Sequence, residues 1–141
     1  MSQLVNLTAD RHLPIVDSNP FLEATRRSSP SVTPIWLMRQ AGRVLKPYRD
    51  LREKIGSLEV MFKSPDLATA ITLMPVQHLN VDAAILFADL VTPLEPMGLH
   101  FEYSPGPVFS NPIRNAGDVD RLRSLDVESE IPFLTQTVRQ V

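Results

Sequence analysis

Two uninterrupted apolar runs, Ile35–Met38 and Ala83–Phe87, organise the pattern of this chain. Each is short, each begins abruptly, and each ends in polar residues. Runs of four or five apolar residues with no alternation predict strands buried on both faces. Between them, Leu67, Ala70, Ile71 and Met74 recur at helical spacing. Ser64 stands at the cap position, Pro65 at the first helical position, and Asp66 in the first turn. The spacing predicts a helix from there to Leu79, kinked near Ile71 by Pro75 and ended at Asn80. Strand, helix, strand with two-sided burial predicts a βαβ unit with a parallel pair.

The remaining pattern is more local. Asn19-Pro20 opens a short predicted helix over Phe21–Arg27, and Leu45–Lys54 reads as a basic helix closed by Gly56. Thr92-Pro93 starts a predicted short helix through Glu95, stopped by Pro96 and Gly98. Leu99, Phe101 and Tyr103 alternate with polar residues and predict an exposed strand. Ser104–Pro107 turns this strand, and Val108-Phe109 pairs back as a hairpin. A short helix is expected over Asp118–Ser124, and a last one from Glu130 with Ile131, Leu134, Val138 and Val141 on its apolar stripe. Residues 1–19 lack sustained periodicity and are expected to form an arm, leaving 20–141 as the domain.

Composition narrows the function classes. Of 141 residues, 43% are hydrophobic and the formal charge is −2, which gives no overall attraction to nucleic acid or an anionic membrane. No apolar run approaches the roughly 18 residues of a membrane span, and no secretory pattern opens the chain, so a cytoplasmic protein is expected. The absence of cysteine excludes disulfides and thiolate chemistry within the chain. Charge is nonetheless uneven. Arg39, Arg43, Lys46, Arg49, Arg52 and Lys54 face only Asp50 and Glu53 over residues 39–54.

That basic segment begins where the first predicted strand ends. Guanidinium groups bind carboxylate or phosphate bidentately, and α/β folds place ligands at the C-terminal ends of strands. Arg39, Gln40 and Arg43, with Gly42 between them, therefore form a candidate anion site; simple solvated arginines are the competing assignment. Asp89 follows the second strand at the corresponding point. It is equally suited to capping the turn that follows. In a parallel pair the two polar clusters would emerge on one rim. His78 falls on the apolar helix stripe and is expected at the edge of the core, as Trp36 is expected within it. His12 and His100 carry no pattern, and no metal-ligand spacing or phosphate-cradling glycine motif is present.

Pro34-Ile35-Trp36-Leu37-Met38-Arg39-Gln40-Ala41-Gly42-Arg43 resembles the N-terminal signature of the uroporphyrinogen decarboxylase family. The resemblance continues through Tyr48–Arg52, Ser64–Ala68 and Ile85–Leu90, in order. It implies a (β/α)8 TIM barrel, a homodimer, and haem biosynthesis in which four acetate side chains of uroporphyrinogen III become the methyls of coproporphyrinogen III, with no metal or organic cofactor. By the same resemblance Arg39, Gln40, Ala41, Gly42, Arg43 and Arg52 line the substrate site, with Arg39 also assigned to catalysis. Asp89 corresponds to the acidic group that receives the pyrrole N–H groups and stabilises the transition state.

The chain departs from the family after Gly42-Arg43, where Val44-Leu45-Lys46-Pro47 replaces the usual Tyr-Leu-Pro-Glu. A complete barrel takes about 250 residues, and no stop signal follows the last predicted helix. The chain is accordingly expected to be an N-terminal, incomplete portion of the barrel, inactive alone and lacking the family's later Tyr, Ser or Thr, and His. Two alternatives are a non-catalytic scaffold or dimerisation fragment, and a related methyltransferase barrel, whose His and Cys metal ligands the sequence does not show.

Overall fold

A computed structural model describes residues 19–141. The expected arm, with His12, lies outside the described residues except for Asn19. The chain is mixed α/β, with helices gathered around one apolar centre and a single small sheet among the described residues. Helix α1 spans Pro20–Thr25, where Asn19 caps it by accepting from the Phe21 N–H. Helix α2, Lys46–Ile55, ends at Gly56, whose φ of 76° lies in the left-handed region that only glycine enters without steric cost.

A helix absent from the sequence reading, α3 at Leu58–Lys63, follows immediately and is capped by Ser57. It escapes periodicity because it is little more than one turn long. Helix α4, Pro65–Leu79, starts with Pro65 as expected and stops at left-handed Asn80, although the Ser64 side chain makes no capping bond. The hairpin comprises β1, Phe101–Tyr103, and antiparallel β2, Pro107–Phe109, with Tyr103 opposite Pro107.

Beyond the hairpin, α5 covers Ala116–Val119. It opens on a capping box in which Asn115 and Asp118 satisfy one another's backbone N–H groups. Helix α6, Val127–Glu130, is capped by Asp126, and α7, Pro132–Gln140, packs along α4. At the α4–α7 contact the Gln140 amide accepts from Thr69 Oγ1 at 2.8 Å and donates to Asp66 Oδ1 at 3.1 Å.

The core lies where α2, α3 and α4 meet the loop before α2. Ala41, Leu45, Tyr48, Met61, Ile71 and Met74 are buried together, with Leu51, Ile55 and Phe87 against them. Met61 and Ile71 have no exposed surface. On α4 the buried side also includes Ala68, Thr72 and Pro75, so it is broader than the predicted stripe, while Leu67 and Ala70 are half-buried.

Several expectations require correction. Ile35–Met38 and Ala83–Phe87 lie side by side but do not form strands, and no parallel ladder joins them. They share one reciprocal pair: Asp82 N–H donates to Ile35 O at 2.8 Å, and Asp82 Oδ2 accepts from Ile35 N–H at 2.7 Å. Two short segments without further strands or covering layers gain too little from pairing to form a sheet. Ile35–Met38 is exposed throughout, whereas Ala83, Leu86 and Phe87 are partly covered. Trp36 is 47% exposed and Met38 78%, so Trp36 is not core here.

His78 is exposed rather than at the core edge. Residues 90–98 form successive turns instead of a helix. In the last helix Val138 and Val141 face outward, and the buried positions are Ile131 and Thr137. Packing of α7 along α4 decides which of its faces is covered.

With no ladder, side chains hold the second apolar segment in place. Thr72 Oγ1 donates to Ala68 O at 2.7 Å within α4 and accepts from the Phe87 N–H at 2.9 Å. Thr72→Val keeps the shape but leaves that N–H unpaired, and it should lower stability in urea unfolding by about 1–3 kcal/mol. Thr72→Ser should recover most of this loss.

Candidate functional site

The arginine turn is built on tight backbone geometry. Arg39 adopts a left-handed φ of 59°, unusual for a residue with a side chain. The Gln40 N–H donates to Leu37 O at 3.0 Å, and the Gly42 N–H returns to Arg39 O at 2.7 Å. A Cβ at position 42 would meet that same carbonyl oxygen at 2.6 Å, so only glycine fits. From α2, Arg49 Nη1 donates to Arg43 O at 2.8 Å and Val44 O at 3.0 Å, tying the turn to the helix below it. Val44, where the chain departs from the family pattern, is exposed.

The candidate residues fall into two groups. The Arg39 and Arg43 side chains are exposed, and among the described residues neither guanidinium has an ion-pair partner. Fixed cations on a rigid turn are suited to anionic groups. Gln40, by contrast, is 2% exposed and has both amide polar atoms bonded. Its Oε1 accepts from the Leu37 N–H at 3.1 Å and its Nε2 donates to Ala83 O at 2.7 Å. This amide bridges the two apolar segments rather than facing solvent. Ala41 is buried in the core, and Arg52 Nη1 donates to Gly56 O at 2.7 Å, closing α2. Neither side chain is directed at an open site.

Asp89 ends the second segment. Its Oδ1 accepts from the Val91 N–H at 3.1 Å, the turn-capping bond expected of an aspartate there. Its Oδ2 accepts from the Tyr103 hydroxyl at 3.1 Å. No hydrogen bond or ion pair among the described residues joins Asp89 to Arg39 or Arg43; the clusters are linked through Gln40 and the Ala83–Asp89 backbone.

Aromatic rings support this end of the segment. Phe87 meets Tyr48 at 5.8 Å edge-on and Phe62 at 4.8 Å, and Phe62 lies 6.3 Å from Tyr103. Tyr103 in turn meets Phe101 edge-on at 5.6 Å. Burial, then the negative charge of Asp89 and its hydrogen bond, push the Tyr103 phenol well above its ordinary pKa, so it remains protonated. Beside it, Phe62, Lys63, Glu95, Phe101 and Phe133 line a cleft of which Asp89 is not part. Lys63 crosses it to Glu59 at 2.7 Å and Glu95 at 3.4 Å. The hydrogen bond to Glu59 raises the Lys63 pKa above its ordinary value. Among the described residues no group of three His, Cys, Asp or Glu side chains could hold a metal ion.

Sequence reasoning missed Thr72, Arg49 and Tyr103. Tyr103 had a signal, since it put a hydroxyl on the apolar side of an alternating strand. Thr72 had only its position one residue beyond the predicted stripe.

A basic turn and an aspartate each end one of two adjacent apolar segments in this mixed α/β chain. The family model described as Uroporphyrinogen decarboxylase (URO-D) matches residues 17–141. The chain therefore belongs to the uroporphyrinogen decarboxylase family. It is 48% identical over 122 residues to the uroporphyrinogen decarboxylase of Trichlorobacter lovleyi and 47% identical over 122 residues to that of Geobacter sulfurreducens. Its identity to the Solibacter usitatus protein of the same name is 49% over 123 residues. In each case 86% of this chain is covered. The chain spans about 36% of the length of the first two relatives and 35% of the third.

Gly42→Ala should destabilise the chain by about 1–3 kcal/mol, as an inserted methyl does in a packed site, measured by urea unfolding; an unchanged midpoint would show that the turn relaxes freely. The raised Tyr103 and Lys63 pKa values set a pH dependence. Groups raised in the folded state give stability that is complete below their unfolded values, near 10, and declines as pH rises through the folded ones. The unfolding midpoint should change little from pH 7 to 9 and fall above about pH 10, with a smaller fall in Tyr103→Phe.

Proposed function

We propose that residues 20–141 form the N-terminal part of a uroporphyrinogen III decarboxylase barrel acting in porphyrin biosynthesis. The supporting observation is the family match over residues 17–141, a span that holds both the arginine turn and Asp89. Each acetate is lost after its pyrrole ring is protonated, which places positive charge on the macrocycle. Asp89 is assigned to receive the pyrrole N–H groups and to stabilise that charge where it develops. Arg39 and Arg43 are assigned as clamps for the substrate's carboxylates, consistent with their exposure and lack of ion-pair partners among the described residues.

Gln40 and Ala41 act in this scheme by shaping the turn, Gly42 by permitting its close approach, and Arg52 by securing α2. The (β/α)8 barrel, homodimer, cytoplasmic location and cofactor-free reaction belong to the same proposal. No described helix is long and apolar enough to cross a membrane.

A hybrid tests this directly: the matched segment of the Trichlorobacter lovleyi relative is replaced by the corresponding residues of this chain, and coproporphyrinogen release is measured. Turnover is expected, and Asp89→Asn should reduce kcat by about 10²-fold or more, as loss of a preorganised charge-stabilising group does. Arg39→Ala should mainly raise KM. A folded hybrid with near-normal Asp89→Asn rates would overturn the role of Asp89.

A further inference from the structure

The carboxylate of Asp89 is held from two sides, and one side comes from outside its own loop. The Val91 N–H binds Oδ1 and constrains the side chain only within the local turn. The Tyr103 hydroxyl binds Oδ2 from strand β1, 14 residues later in the chain. Tyr103 is itself fixed. Its backbone is paired with Pro107, and its ring is packed by Phe101 and Phe62. Two donors from different elements restrict both side-chain torsions of an aspartate.

An ionised carboxylate has about four acceptor positions. Two are occupied here, leaving roughly two for a ligand's N–H donors. We infer that Tyr103 is a positioning residue, which reaches from the hairpin to hold the Asp89 carboxylate in the orientation that presents its free lone pairs to the porphyrinogen nitrogens. This rests on the assignment of Asp89 to those nitrogens. Because Tyr103 stays protonated through the physiological range, it is always a donor to Asp89 and never a competing anion. The hairpin thereby acquires a function at a distance from the arginine turn: it sets the direction of the site's central acceptor.

Two measurements on the chain keep the contact and its function separate. The sequence has two tyrosines, so in Tyr48→Phe the ultraviolet phenolate signal reports Tyr103 alone. Adding Asp89→Asn should move its titration midpoint down by about one pH unit; coincident curves would overturn the contact. Equilibrium dialysis against uroporphyrinogen III, kept reduced under argon, then reads the function. Tyr103→Phe keeps the ring and should weaken binding about three- to tenfold, the range for one lost hydrogen bond. Asp89→Asn should weaken it more, and the double variant should bind no worse than Asp89→Asn alone, because Tyr103 acts through Asp89.

Additive losses, or a loss in Asp89→Asn with none in Tyr103→Phe, would overturn the positioning role while leaving Asp89 assigned. Unimpaired binding by Asp89→Asn would remove the assignment of Asp89 itself, and with it the positioning role, whatever the titration showed. Should the unaltered chain not bind, the same comparisons are made in the hybrid, and absence of binding there would do the same.

Discussion

Backbone polar groups in a folded chain need partners, and in the segment from Val81 to Asp89 several find theirs without a sheet. Asp82 pairs reciprocally with Ile35, Gln40 bonds Ala83 O, and Thr72 accepts from Phe87. These three side chains come from different places in the sequence, yet together they set where the segment runs and therefore where Asp89 emerges. The aromatic contacts of Phe87 with Tyr48 and Phe62 then fix the end of the segment against α2 and α3.

The same constraint divides the signature into parts with different work. Within one continuous stretch, Arg39 and Arg43 face outward, while Gln40 and Ala41 turn inward. A tight turn allows this alternation over so few residues. Its geometry depends on a left-handed Arg39 and on the missing side chain of Gly42. Arg49 adds a brace from the helix. Basic residues near the turn thus separate into solvent-facing and structural cations, although their charge is the same.

Burial of the apolar surface follows a comparable division. Helices α2, α3 and α4 close a core around Met61 and Ile71, whereas Ile35–Met38 remains largely open. The helical part satisfies its backbone internally and needs only one covered face. Parallel strands need partners alongside and cover on both faces. This difference explains why helices assemble among these residues while the parallel pair does not.

Local signals were legible in the sequence wherever the physics was local. The Asn19-Pro20 cap, the stops at Gly56 and Asn80, the Pro65 start and the hairpin turn all depend on residues within one turn of one another. The arginine turn and Asp89 were also visible, because charge at the end of an apolar run is a local pattern. Phase and partnership were not. The buried face of α7 was set by its packing on α4, and α3 was too short for periodicity. Gln40 as a bridge, Thr72 as an acceptor and Tyr103 as a donor to Asp89 each required knowing which distant groups would meet. By itself the sequence determined the types of side chain available and where the locally capped elements start or stop. Tertiary structure alone decided which polar atoms are occupied and which stay open, since a hydrogen bond depends on positions that only folding brings within about 3 Å.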